Sequence, residues 1–236
     1  MGKQVWAYTR RALAAAATAA ALAVTPGCAP QSAFLMGLLP DGTMSALLTH
    51  VDSQNEPLRK LVYDLESRKD WNGLAKLADD NLAINRNHAD WWFISGYAHS
   101  EAKRPGRAAD SFANLVRLAP DEPINWMLLA QALRDSKQPQ KAVQALGTAH
   151  QLRRGTPVSY YLLGESYSDL DRDLPAVSAY REALQLDGDF AKAWFGLGRA
   201  AARLGRTADY ESALKSLNRL DPKLAKELTA LRPATR

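Results

Sequence analysis

From Ala89 onward the hydrophobic pattern of the chain repeats. Large aromatic residues stand at Trp92, Trp126, Tyr160 and Trp194, separated each time by 34 positions. Four residues after each comes a small one: Gly96, Ala130, Gly164 and Gly198. Sixteen after come Ala108, Ala142, Ala176 and Tyr210, and twenty after come Phe112, Leu146, Tyr180 and Leu214. Three further on lie Leu115, Ala149, Ala183 and Leu217. Residues three and four apart share a helix face, so each period predicts two helices, one carrying the aromatic and the small residue and the other the apolar set. Pro105, Pro139 and Pro175 fall between the two helices, where proline suits a first turn but not a helix interior, and Gly205 takes that place in the last period.

Two glycines interrupt an otherwise helical stretch, Ala193 to Gly205. An interior glycine costs a helix about 0.5–1 kcal/mol relative to alanine. Gly198 shares a face with Trp194 and Leu197, so its missing side chain admits the second helix while Trp194 fills the space beside it. Burying a large side chain is worth about 1.5–3 kcal/mol, enough to offset the glycine. Gly196 has no such place in the repeat.

Several registered positions at one period resemble the tetratricopeptide repeat (TPR) family over about Ala89 to Pro222. The departures are Ser95 where leucine is expected, His99 and Leu133 where tyrosine is common, and Tyr210 where a small residue is expected. The resemblance implies an all-α, right-handed superhelical solenoid of antiparallel helix pairs in four units, 89–122, 123–156, 157–190 and 191–222, with a C-terminal capping helix and tail over 223–236. Asp221-Pro222 opens the capping helix, which runs to Leu231, and Lys223, Lys226 and Glu227 make its outer face polar. Residues 43–88 hold N-terminal helices. One lies over Met44 to Val51, a second starts at Asn55-Glu56-Pro57 and continues to Arg68, and a third runs from Asp70-Trp71 to about Ile84. Leu58 stands one full period before Trp92, which makes the last two a degenerate repeat.

The chain has 236 residues, 47% apolar and 23% charged, enough for a sizeable core. Its formal charge is +5, but the segment 1–28 holds Lys3, Arg10 and Arg11 and no acid, leaving 27 bases against 25 acids, a net +2 that argues for no nucleic-acid partner. That basic start, followed by the uncharged Ala12 to Val24, has the build of a secretory signal over residues 1–28, with 29–42 as a tether. The run from Ala12 to Val24 is too short to anchor the chain across a bilayer. Cys28 is the only cysteine, so no internal disulfide forms. Following Gly27, it resembles the lipobox cysteine of bacterial lipoproteins, which is lipidated and becomes the new N-terminus, although Thr25 and Pro26 depart from that pattern. Ala21-Leu22-Ala23 offers a competing cleavage after Ala23, and Thr9 to Leu13 resembles a twin-arginine signal as an alternative export route. Ala29 after Cys28, by resemblance to the lipoprotein sorting rule, favours the outer membrane, with the protein facing the periplasm.

In a solenoid of this kind the first helix of every unit builds the inner wall. Residues one, five and eight places after each aromatic share its second face: Phe93, Tyr97 and Ser100; Met127, Gln131 and Arg134; Tyr161, Glu165 and Ser168; Phe195, Arg199 and Ala202. Phe93, Met127, Tyr161 and Phe195 read as anchors of a groove for an envelope protein or peptide segment, with Gln131, Arg134, Glu165 and Arg199 as its polar rim and Tyr97 on the same concave face. Packing between repeats would use the same side chains. The lysine and asparagine clamp with which some family members hold a chaperone's C-terminal carboxylate is not matched, since Met127, Gln131, Tyr161 and Glu165 stand in its places. Trp91, beside Trp92, is either an exposed contact or packed on the preceding unit.

The chemistry of catalysis is not evident. No phosphate-binding glycine loop or paired-histidine motif occurs, and Gly164-Glu165-Ser166-Tyr167-Ser168 lacks the second glycine of a nucleophile elbow. His50, His88, His99 and His150 are scattered. Asp169-Leu170-Asp171-Arg172-Asp173 opens like a calcium loop, but Leu174 and Tyr180 stand where glycine and glutamate are needed, so these read as turn acids and a helix cap. The sequence therefore predicts no enzyme, no cofactor, no metal and no small-molecule substrate. The resemblance implies a protein-binding scaffold, held at the membrane by its lipid, that assists an envelope assembly such as a pilus or secretin. The alternative is an accessory subunit of a cell-wall enzyme.

Overall fold

The computed structural model describes residues 56–231. The signal segment expected over 1–28 with Cys28, the tether expected over 29–42, the helix expected over Met44 to Val51 and the tail beyond Leu231 lie outside the described residues. Eleven helices follow one another among the described residues: α1 (Glu56–Ser67), α2 (Trp71–Ile84), α3 (Ala89–Glu101), α4 (Pro105–Leu118), α5 (Pro123–Asp135), α6 (Pro139–Leu152), α7 (Pro157–Ser168), α8 (Asp173–Leu186), α9 (Ala191–Arg203), α10 (Thr207–Leu220) and α11 (Pro222–Thr229). The chain divides between Arg68 and Lys69 into two compact units, so α1 belongs to the first and α2 to α11 to the second. In the second unit α3/α4, α5/α6, α7/α8 and α9/α10 are the antiparallel pairs, and α2 packs on α3 ahead of them.

The turn ahead of α2 and the turn inside each of the four pairs are the same device repeated. Lys69, Lys103, Lys137, Asp171 and Gly205, spaced by the same period as the aromatics, all adopt the left-handed backbone, with φ of 56°, 59°, 62°, 54° and 67°. In the last four turns the amide just past the left-handed residue reaches back into the preceding helix: Arg104 to the His99 carbonyl, Gln138 to Leu133, Arg172 to Tyr167 and Arg206 to Ala201, at 2.8–2.9 Å. These bonds satisfy carbonyls that a helix end otherwise leaves open. Only Gly205 has the side-chain-free backbone for which this conformation is easy; a residue with a Cβ spends about 1–2 kcal/mol there. Proline then starts the next helix at Pro105 and Pro139, and Pro175 sits in the first turn of α8.

The small positions of the first helices receive the large positions of the second. A Cβ built on Gly96 would stand 2.6 Å from the Phe112 ring, and one on Gly164 2.5 Å from the Tyr180 ring. Gly198 faces Ala213 of α10, as expected, and also Leu228 of the capping helix. Gly196 now has its reason. Its Cβ would lie 2.5 Å from the Tyr180 ring, so this fully buried tyrosine is held between a glycine of its own unit and a glycine of the next.

The repeated tryptophans do more than fill space. Each is only half-buried, and its indole N–H donates to a carbonyl six residues earlier in the loop between units: Trp92 to Arg86, Trp126 to Pro120 and Trp194 to Gly188, at 2.7–2.8 Å. Tyr160 has no indole and instead packs its ring on His150, centroids 4.5 Å apart. Of the two readings of Trp91, exposure is excluded, because its side chain is buried.

Three departures from the repeat pattern are also local solutions. Ser95 and the facing Ser111 share a buried hydrogen bond of 3.0 Å, and Ser95 also reaches Asp79 at 3.3 Å. His99 is buried with its Nε2 3.9 Å from Asp79; burial first, then Arg104, hold its pKa below the usual histidine value. Tyr210 is buried in the last unit and donates its hydroxyl to the Leu228 carbonyl at 3.1 Å, tying α11 to α10. Asp221 caps α11 by accepting from the Lys223 and Leu224 amides.

Candidate functional site: the inner wall of the repeats

Of the first helices that form the expected inner wall, α7 packs against both α5 and α9. The N-terminal part of this wall is filled. Phe93 is 5% exposed, Tyr97 2%, Met127 6% and Gln131 5%, so these four residues expected in an open groove are closed off by packing. Phe93 stacks parallel to Tyr97 with centroids 6.5 Å apart, and Trp71 of α2 meets Tyr97 edge-on at 5.7 Å. Gln131 turns its amide to Asp135, at 2.9 and 3.0 Å.

The C-terminal part stays open. Tyr161 and Phe195 are half-buried, and Phe190, from the loop before α9, joins them with its ring 5.2 Å from that of Tyr161. Arg199 lies over the Phe195 ring at 5.9 Å. These form an apolar shelf with a cation at its edge, a composition typical of residues that dominate protein interfaces.

Behind the shelf, residues of three units converge on one carboxylate. Glu165 accepts from Arg199 at 2.8 Å, from the Tyr180 hydroxyl at 2.6 Å and from Arg134 at 3.4 Å. Arg134 also bonds Asp169 at 2.6 Å. Burial works against the charges of Arg134 and Arg199, but the facing Glu165 and the smaller contributions beside it outweigh burial and hold both above the ordinary arginine value. The Tyr161 and Tyr180 phenols are pushed well up by burial and by the same carboxylate, so both remain neutral donors. A second bridge joins Arg203 to Asp173 and Ser168 across two units.

Thus Arg134, Glu165 and Arg199 are brought together, whereas Phe93 and Met127 are not part of the open face. Asp169 and Asp173, read from sequence as turn acids, are in fact arginine partners between units. Sequence reasoning also missed Phe190, Arg203 and the role of Tyr180. A phenol at a core position where the other units carry Phe112, Leu146 and Leu214 needs an acceptor, and that requirement was the available signal. Among the described residues no cluster of three or more His, Cys, Asp or Glu could hold a metal ion, and no helix is long and apolar enough to cross a membrane.

Helix pairs in a constant register, indole bonds to the loops between units and a capping helix define a TPR solenoid. A tetratricopeptide repeat family model matches residues 95–159 and 160–225, and the chain belongs to that family, whose members are protein-binding scaffolds. Among solved structures it is similar to YrrB, described as a TPR protein with an unusual peptide-binding site, at 17% identity and TM-score 0.62 over 77% of this chain and 95% of that one. It is also similar to MamA from Desulfovibrio magneticus RS-1, at 19% identity and TM-score 0.61 over 74% and 94%. TTC0263, a TPR protein of Thermus thermophilus, aligns at 17% identity and TM-score 0.55 over 73% and 95%. These similarities concern the fold. No curated protein sequence matches the chain.

Proposed function

We propose that the protein is a non-catalytic scaffold that holds a segment of a partner protein on the inner wall of its last two repeats. The observation that carries this reading is the half-buried shelf of Tyr161, Phe190 and Phe195 edged by Arg199, in a wall whose other aromatic positions are closed. Aromatic anchors beside a fixed cation suit an extended or helical segment with one or two apolar side chains. The peptide-binding site named for YrrB is in keeping with this use of the fold.

The N-terminal sequence supports a location. A basic flank, an apolar stretch and Gly27-Cys28 support export, lipidation of Cys28 and retention at the outer membrane on the periplasmic side, where the partner would belong to an envelope assembly such as a pilus or secretin. Crosslinking and pull-down from intact cells, with the full-length protein beside Cys28→Ala, tests both parts. Lipid on Cys28 and an envelope complex recovered only with the wild type is the expected result. A mature N-terminus at Val24 with unchanged partners would leave a soluble periplasmic adaptor, and recovery of a cell-wall enzyme would make the protein its accessory subunit.

A further inference from the structure

The most densely bonded group on the open wall is an acid. Glu165 sits on α7 with only 12% of its side chain exposed, and both carboxylate oxygens are engaged: Oε1 by Arg199 and the Tyr180 hydroxyl, Oε2 by Arg134. Two guanidinium groups from the flanking units and one phenol therefore form a seat for a carboxylate, and the chain fills that seat itself. The donors are held in place independently of Glu165. Arg134 is fixed by Asp169, Arg199 rests on Phe195, and the Tyr180 ring is locked between Gly164 and Gly196.

Arginine forks recognise carboxylates through their fixed donor geometry, and a seat with two of them is selective for an acidic group. While Glu165 occupies it, an incoming acid meets a neutralised site and, beside it, the Asp169 carboxylate, whose side chain is 40% exposed. We propose that Glu165 is a built-in occupant of a carboxylate seat and sets the specificity of the groove: it turns away acidic segments and leaves recognition to the apolar shelf of Tyr161, Phe190 and Phe195, so the partner segment is apolar and carries no acidic side chain at this position. This rests on the reading of the same wall as the binding face, and it adds which chemistry that face rejects.

The test uses purified full-length protein and a fluorescein-labelled hexaglutamate peptide, followed by anisotropy at physiological salt. Glu165→Gln keeps the shape and removes the charge. The expected result is that hexaglutamate binds this variant at least about tenfold more tightly than the wild type, because Arg199 loses its carboxylate partner and Arg134 keeps only Asp169. Restoring wild-type weakness in Glu165→Gln combined with Arg134→Gln and Arg199→Gln would locate the gain in the seat. If Glu165→Gln does not fold, Glu165→Ala serves, since it removes the carboxylate and leaves Arg134, Arg199 and the Tyr180 hydroxyl in place; the same direction of change is expected there, and unchanged affinity in the folded variant counts against the proposal. Unchanged affinity in a folded Glu165→Gln, or a gain that survives loss of both arginines, overturns the proposal. Neither outcome depends on the natural partner, so the proposal can fail while the scaffold reading stands.

Discussion

The two halves of the inner wall use the same register positions and reach opposite ends. In the N-terminal half the places one and five residues after the aromatic hold Phe93, Tyr97, Met127 and Gln131, all buried. In the C-terminal half they hold Tyr161, Glu165, Phe195 and Arg199, all partly exposed. The difference lies at the fifth place. Tyr97 and Gln131 are neutral and can be covered at modest cost, even with the Gln131 Oε1 left without a hydrogen-bond partner, whereas a carboxylate and a guanidinium lose more on dehydration, and the paired Glu165 and Arg199 stay partly exposed. A charged pair in the middle of a groove thus preserves the groove, and neutral residues in the same frame become core.

This contrast can be broken by substitution. The largest effect is expected from Phe93→Ala, which empties a buried, stacked site and should cost about 3–5 kcal/mol in urea denaturation. Phe195→Ala, at the equivalent place on the open side, should cost no more than about 1–2 kcal/mol, because part of its ring is already in contact with water. Equal losses would remove the distinction between the halves. Next comes Gly196→Ala, whose Cβ has no room against Tyr180; the overpacking should cost about 1–3 kcal/mol, whereas Gly147→Ala, with nothing near its Cβ, should be neutral or slightly stabilising. Smaller still, Lys137→Gly should relieve a left-handed turn and raise the melting temperature, with a gain of up to about 1 kcal/mol, and Gly205→Ala should lose about as much.

The smallest expected effect is one of pH. The native pKa of His99 is held below its unfolded value of 6.5, so the unfolded chain binds the proton first and stability falls as pH drops through about 6.5 toward the native pKa. Burial and the Arg104 and Arg107 charges oppose protonation, while Asp79 favours it. The melting temperature of His99→Gln should therefore decline less than that of the wild type between neutral pH and pH about 5. A decline as steep as the wild type's would assign the acid sensitivity to other groups, among them His150, whose pKa burial also lowers.

Much of this molecule was legible as period. The constant spacing, the small residues and the prolines carry the pairing of helices, because those features act locally and repeat. The left-handed turns were hidden, since four of the five positions hold Lys or Asp, and nothing in a lysine declares a positive φ. Gly196 was unreadable for another reason: its constraint comes from Tyr180 in the preceding unit and is a matter of packing across helices. Periodicity placed Glu165, Arg134 and Arg199 on one face, but which of the rim residues would pair with one another, and which anchors would be covered, depends on how neighbouring units close. Tyr210 breaks the repeat because its neighbour is a short capping helix whose Leu228 carbonyl lies within reach of the phenol, a condition that arises at the end of the array.

The most direct test of the open C-terminal groove is photo-crosslinking in intact cells with benzoylphenylalanine placed at Phe195 or, in a parallel strain, at Phe93. The account predicts a discrete partner adduct from position 195, suppressed by Tyr161→Ala, and none from position 93. Adducts from position 93 alone, or from neither position when the fold is intact and the same partner is still captured, would contradict it.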